Sequence, residues 1–92
     1  MRWEDEAESA VERAGAVAVK RDGVSDWEGW GVILLRRGDQ WGTLRWSYGS
    51  CSGCDRYEDM SDAERAKEFD ELIAWHSDYD AAMAAFENGK GW

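Results

Sequence analysis

The sequence predicts an α+β fold in which an N-terminal helix, a three-stranded antiparallel sheet and one or two C-terminal helices form a single compact domain of residues 1–92. Apolar residues recur at helical spacing near both ends of the chain, whereas residues 40–48 alternate as a strand does. Between two β-rich runs, Gly38-Asp39 places glycine at the first position of a two-residue hairpin turn. A chain of 92 residues has little room for a second core.

The N-terminal segment predicts a helix over residues 3–14. Its apolar residues fall at helical spacing, acidic residues fill the first turn, and Arg13 lies in the last turn, where a cation complements the helix dipole. Gly15 follows as a C-terminal stop. Residues 16–20 then predict a short strand that closes at the turn pair Asp22-Gly23.

The predicted hairpin fixes which residues share a face of the sheet. If Gly38-Asp39 is its loop, Ile33 lies opposite Leu44 and side chains alternate between the two faces. One face is apolar and is expected to meet the helices; it consists of Ile33, Leu35, Leu44 and Trp46.

The other face of the hairpin mixes aromatic, aliphatic and cationic side chains: Trp30, Val32, Leu34, Arg36, Trp41, Thr43 and Arg45. An arginine beside a tryptophan gains a cation–π contact of about 0.5–1 kcal/mol, which is a purely structural explanation. Tryptophan and arginine are also the usual anchors of binding surfaces. Both interpretations of this face stay open: it is either packed within the fold or a surface that binds a ligand or partner.

The C-terminal third predicts helical structure. Ser61-Asp62-Ala63-Glu64 is a capping box, and Asn88-Gly89 is a helix stop. Between them runs an apolar stripe at steps of three and four: Phe69, Leu72, Ile73, His76, Tyr79, Met83 and Phe86. Ser77 to Asp80 could restart a helix after His76, so we favour two helices over one.

The charge of the chain excludes some classes of partner. Twenty acidic residues against eleven basic ones give a net charge of −9, which argues against direct binding along a nucleic-acid backbone or an anionic membrane. The charge is divided unevenly: residues 1–14 carry −3, residues 15–47 carry +1 and residues 48–92 carry −7. The predicted partner is a protein with a basic surface, and a homodimer stays open.

No apolar run exceeds the four residues 32–35, so the sequence predicts neither a signal peptide nor a membrane-spanning helix, and we expect a cytoplasmic protein. Two cysteines three positions apart cannot connect distant parts of a fold, which makes reduced thiols the expectation.

The Cys-x-x-Cys of residues 51–54 has several interpretations. Its glycines and serines suit a tight corner between strand and helix, in which the cysteines are small apolar fillers. A second interpretation is a loop whose backbone amides bind a small ligand. A zinc ion could be held by Cys51, Cys54, His76 and a carboxylate such as Asp55, or shared by two copies of the chain, although His76 on an apolar stripe is more often a packed, hydrogen-bonded residue. A thioredoxin-like redox centre is disfavoured, because the chain has no proline and the neighbouring carboxylates would raise thiol pKa values.

The segment YGSCSGCD, which follows a Trp-rich hairpin and precedes an acidic helix, resembles small bacteriophage proteins of no assigned activity. The resemblance covers about residues 27–60. It implies a viral context, with the host cytoplasm as the site of action, and no site residues.

The leading hypothesis is a small acidic, non-enzymatic binding protein that could inhibit a host factor, either by imitating nucleic-acid phosphates or by meeting a basic protein groove. No catalytic set of residues has a recognisable spacing. The residues predicted to bind the partner are the carboxylates of the C-terminal helices: Asp62, Glu64, Glu68, Asp70, Glu71, Asp78 and Asp80.

Two hypotheses of other classes stay open. A small ligand such as a nucleotide signal could stack on the sheet face through Trp30, Arg36, Trp41 and Arg45. Alanine at Arg36 or Arg45 should then weaken ligand binding and leave an acidic-helix interaction almost untouched. A metal or redox module at Cys51 and Cys54 is the other hypothesis, and serine substitutions without loss of stability or function would refute it.

Overall fold

The computed structural model describes residues 3–24, 29–48 and 61–89. Cys51, Cys54 and Asp55 lie outside these ranges, so the interpretations of the Cys-x-x-Cys stay predictions. The elements follow in the order α1 (Trp3–Arg13), β1 (Val17–Val24), β2 (Gly29–Arg37), β3 (Gln40–Tyr48), α2 (Asp62–Glu71), β4 (Ile73–His76) and α3 (Tyr79–Asn88).

The sheet is antiparallel and has the order β1-β2-β3-β4, so each strand pairs with its neighbour in sequence. The predicted α+β class, the N-terminal helix and the C-terminal helices are confirmed, whereas the prediction of three strands is wrong because β4 adds a fourth. Among the described helices, none has the length and apolarity needed to cross a membrane.

The β2–β3 hairpin has the predicted register, with Ile33 opposite Leu44 and Arg36 opposite Trp41. Gly38 has a φ of 60°. Glycine adopts this left-handed conformation without the cost that a side chain imposes, which is why Gly38-Asp39 closes the hairpin.

Two local predictions are wrong. Asp22-Gly23 is not a turn: both residues belong to β1 and pair with Val32 and Gly31, so the strand continues to Val24. The helical stripe fails at residues 73–76, which form β4. A helical period over a few residues does not exclude a strand, and here the edge of β3 offers a partner that overrides the local pattern.

Gly42 of β3 shows how β4 fits against its neighbour. Trp75 lies opposite Gly42, and a Cβ atom added at Gly42 would come within 2.9 Å of the Trp75 ring. The missing side chain thus leaves the space that the indole occupies. Ile73 and Trp75 consequently pack on one face of the sheet, while Ala74 and His76 lie on the other.

The face of the sheet that carries Ile33 and Leu44 is covered by α1 and α2. Phe69 of α2 is fully buried there, and its ring centroid lies 6.4 Å from that of Trp46. The apolar stripe of α1 supplies the remaining helical contacts. The buried core of this face comprises Ala7, Ala10, Val11, Ala16, Ile33, Leu35, Leu44, Trp46 and Phe69.

The opposite face is covered by α3 alone. Phe86 and Ala82 of α3 pack on Val32 and Leu34 of β2, and these four residues form a second, smaller buried cluster. Trp30, Trp41 and Met83 pack against its margin. The sheet therefore has a helical layer on both sides, where the sequence predicted helices on one.

Both C-terminal helices begin at the predicted residues. Ser61 and Glu64 form the capping box of α2. Asp78 caps α3 by accepting a hydrogen bond from the Ala81 N–H at 2.8 Å, which confirms the predicted restart after His76. The second helix ends at Gly89, as predicted.

Candidate functional site

The seven carboxylates predicted to bind a partner do not share one surface. Five lie on α2, and Asp78 and Asp80 lie on α3, across the sheet. A flat partner could not contact both sets at once. The candidate surface therefore reduces to the helical layer of α1 and α2.

Several of these carboxylates have structural partners. Asp70 accepts a hydrogen bond from Nε of Arg13 at 3.0 Å, and Asp62 accepts one from Nη1 of the buried Arg65 at 3.0 Å. Glu64 completes the capping box by accepting from the Ser61 N–H at 3.3 Å. Because these carboxylates already bind groups of the same chain, the count of seven overstates the negative charge that a partner could contact.

The α1 helix adds charge to the same layer. Its sequence holds five acidic residues and one basic residue, and that of α2 holds five acidic and two basic, which gives −4 and −3. The Arg13–Asp70 ion pair, at 2.9 Å, connects the two helices. Sequence analysis placed no partner-binding residue on α1, although its acidic first turn and amphipathic pattern carry the signal.

A shallow depression of about 220 Å³ lies along the outer side of α2. Glu64, Lys67, Glu68 and Glu71 line it, and Lys67 and Glu68 each lie three or four positions from both Glu64 and Glu71, so all four share one side of the helix. Within the described ranges, Glu71 forms a long ion pair with Lys67, at 3.9 Å, and 62% of its side chain is exposed. Exposed i,i+4 pairs of this kind contribute little to stability, so Glu71 is available to another cation.

On the outer side of α1, Glu8 forms a bidentate ion pair with Arg21 of β1, at 2.6 and 2.8 Å. The hydrogen bonds from Arg21, opposed by partial desolvation, lower the pKa of the Glu8 carboxyl below its ordinary value, and the same bonds raise the pKa of Arg21. The pair fastens α1 to the sheet edge. Glu8 is thus another carboxylate with a structural role.

The Trp and Arg residues of the second sheet face lie at two separate places. Arg36 and Trp41 are directly opposite each other, with the guanidinium 5.6 Å from the indole centroid. Trp30 and Arg45 lie further along the strands, and the contact of α3 with Leu34 and Val32 separates the two pairs. A single small ligand could not use all four residues, so the ligand alternative stays a prediction for one pair at a time.

Residues that sequence analysis did not assign to this face complete the Arg36–Trp41 end. Tyr79 of α3 meets Trp41 edge-on, with ring centroids 4.8 Å apart. Val17, Arg36, Trp41 and His76 form one row across all four strands. The register of β1 and β4 could not be read from the sequence, which is why Val17 and His76 were not placed in this row.

The surroundings of His76 support the interpretation that its side chain is packed and hydrogen-bonded. Its Nε2 atom lies 2.9 Å from Oγ1 of Thr43, and the residue is half-buried. Within the described ranges, no group of three or more His, Cys, Asp or Glu residues is arranged to hold a metal ion. The zinc hypothesis depends on Cys51, Cys54 and Asp55, which lie outside those ranges.

Comparison of the chain with protein-family models, with curated proteins and with solved structures finds no match. Function must therefore be argued from the residues of this chain.

Proposed function

We infer that this protein is a non-enzymatic binding protein whose acidic α1/α2 layer docks on a basic protein surface. The observation that carries the proposal is the adjacency of two helices with charges of −4 and −3 on the same side of the sheet. Adjacent acidic helices produce a stronger local potential than the same charges spread around the molecule.

The distribution of charge in the rest of the fold supports a directional surface. The strands β1, β2 and β3 carry four arginines and one lysine against one aspartate, whereas α3 carries only two carboxylates. The molecule thus has an acidic side and a near-neutral to cationic sheet. Such an asymmetry orients a cationic partner during encounter and raises the association rate.

The exposed side of α2 is the proposed centre of the contact. Glu68 and Glu71 lie next to each other in the depression described above, and Glu71 is largely exposed. A partner's arginine would displace Lys67 from its weak ion pair with Glu71, since an arginine forms bidentate bonds with a carboxylate that lysine cannot form.

The test measures binding of a decaarginine peptide by isothermal titration calorimetry at about 0.15 M ionic strength, where charges beyond roughly 8 Å are screened. The Glu68→Gln/Glu71→Gln variant removes two charges from the layer. The Asp39→Asn/Glu87→Gln variant removes the same number from the hairpin turn and from α3. We expect the first variant to weaken binding about tenfold and the second less than about twofold.

Equal weakening by the two variants would mean that binding follows net charge alone, and it would refute a directional surface. Absence of peptide binding to the unsubstituted protein would refute it as well. Zero-length crosslinking of a lysine analogue of the peptide locates the contact independently, and the proposal requires crosslinks to carboxylates of α1 or α2.

A further inference from the structure

The outer edge of β1 is the most exposed part of the sheet. Within the described part of the chain, β1 pairs with β2 alone, so its outer side has no partner strand. Val17 and Val19 are 63% and 45% exposed, and they are two of the three large apolar residues exposed to this degree among the described residues. A long edge with apolar side chains is a template for pairing with another strand.

The second edge strand contrasts with β1. The β4 strand has four residues, against eight for β1. Very short edge strands limit unwanted pairing, so β4 is protected by its length. The β1 strand has a bulge between Ala18 and Lys20, which leaves the segment from Lys20 onward as the regular part of the edge.

The charges of this regular segment define a register for pairing with a second copy. A two-fold axis perpendicular to the sheet keeps every side chain on the face that it occupies. Because directly opposite residues of an antiparallel pair share a face, the axis must pass between one residue and the same residue of the second copy. An axis at Lys20 would place two lysines opposite each other, and an axis at Asp22 would do the same with two aspartates. An axis at Arg21 places Lys20 of each copy opposite Asp22 of the other, with two opposite-charge pairs on the face that carries α3.

We propose that two copies of this chain associate through antiparallel pairing of their β1 strands, centred on Arg21, to form a continuous eight-stranded sheet. The inference is independent of the proposed function. The like charges of the two central arginines are offset, because each arginine is already held by the two oxygens of Glu8 in its own copy. Oδ1 of Asp22 accepts from the Gly23 N–H at 2.8 Å, which keeps the carboxylate at the strand edge.

The geometry of such a dimer has a consequence for the helices. Rotation about an axis perpendicular to the sheet leaves both α1/α2 layers on the same side, so the dimer would present two acidic layers together. The two α3 helices would share the opposite side.

The test uses charge reversal and mixing. Sedimentation velocity from about 10 µM to 1 mM, which spans the affinity of a small interface, measures self-association of the unsubstituted chain and of Lys20→Asp and Asp22→Lys. Either substitution makes both cross-copy pairs repulsive, and we expect each to weaken self-association by about tenfold. A mixture of the two variants should associate. The aspartates at positions 20 and 22 of the first variant then lie opposite the lysines at positions 22 and 20 of the second.

Native mass spectrometry of the mixture distinguishes the heterodimer from either homodimer by mass. Lys67→Asp and Glu87→Lys are the matched controls: they make the same charge changes on α2 and α3, and neither variant should lose self-association. Circular dichroism confirms that all variants are folded.

A monomeric unsubstituted chain at 1 mM would overturn the proposal. A dimer that both β1 variants retain at full strength would also overturn it, since the contact would then lie elsewhere. The proposed register requires preferential heterodimer formation by the two β1 variants and only the statistical proportion of heterodimer in a mixture of the two controls.

Discussion

The two faces of the sheet differ in how their helices are held. On one face, α1 and α2 precede and follow the first three strands in sequence and form a buried cluster of nine residues with the sheet. On the other, α3 alone covers four buried residues, and the row of Val17, Arg36, Trp41 and His76 extends beyond them. Buried apolar area is the main source of stability, so the α1/α2 face should hold the fold together while the α3 face is the more easily opened.

Truncation of the central phenylalanine on each face should separate these roles. Phe69 and Phe86 are both almost fully buried, so the same atoms are removed in each alanine variant. We expect Phe69→Ala to lower the free energy of unfolding by about 3–5 kcal/mol, as is typical for a core phenylalanine. Phe86→Ala should cost about 2–3 kcal/mol, because α3 can detach locally and so limit the loss.

Urea denaturation followed by tryptophan fluorescence measures both losses. Hydrogen exchange of the α3 amides supplies the second reading: Phe86→Ala should speed exchange in α3 more than in the sheet, whereas Phe69→Ala should speed it everywhere. Equal losses with uniform exchange in both variants would contradict the proposed difference between the faces.

The next prediction concerns Gly31, which lies opposite Trp46 on the α1/α2 face. A Cβ atom at this position would overlap the Trp46 ring. Because the ring cannot move without leaving the core, we expect Gly31→Ala to cost about 2–3 kcal/mol, near the upper range for overpacking. The near-ultraviolet circular dichroism of Trp46 should change as well.

Gly38→Ala is the matched control for Gly31. Apart from its chain neighbours, none of the described residues has an atom within 4 Å of an added Cβ there, so the expected cost is that of a non-glycine residue at a φ of 60°, about 1–2 kcal/mol. The near-ultraviolet spectrum should stay unchanged in that variant. If Gly31→Ala were as mild as Gly38→Ala, Trp46 would not be the fixed element that this face requires.

The comparison also shows which features the sequence could predict. The register of the β2–β3 hairpin follows from a local turn and strict alternation, and both capped helix starts follow from short motifs, so these were predicted correctly. The β4 strand could not be predicted, because the spacing of Ile73 and His76 also fits a helix and the pairing partner in β3 is distant in sequence.

The candidate surface shows the same limit. The acidic residues could be counted from the sequence, but their division between two sides of the sheet depends on where β4 turns the chain between α2 and α3. The pairing of Arg13 with Asp70, 57 positions apart, likewise depends on the packing of α1 against α2. Charge predicted the kind of partner; tertiary structure decides which carboxylates can reach it.

The smallest expected effect concerns the Glu8–Arg21 pair, which fastens the α1/α2 face to the sheet edge. Because the folded-state pKa of Glu8 is lowered, its stabilisation is fully present above the ordinary value of 4.5 and is lost as the pH falls through the folded-state pKa.

The Glu8 and Arg21 side chains are 38% and 58% exposed, so the contribution of the pair to the free energy of unfolding at pH 7 should be only about 0.2–1 kcal/mol. Glu8→Gln should therefore lose this amount at pH 7 and progressively less as the pH falls through the folded-state pKa, because the unsubstituted carboxyl then also becomes neutral. Urea denaturation of both chains at low protein concentration, between about pH 3 and 7, measures the difference. A constant difference across this range would show that the pair acts through packing and not through charge.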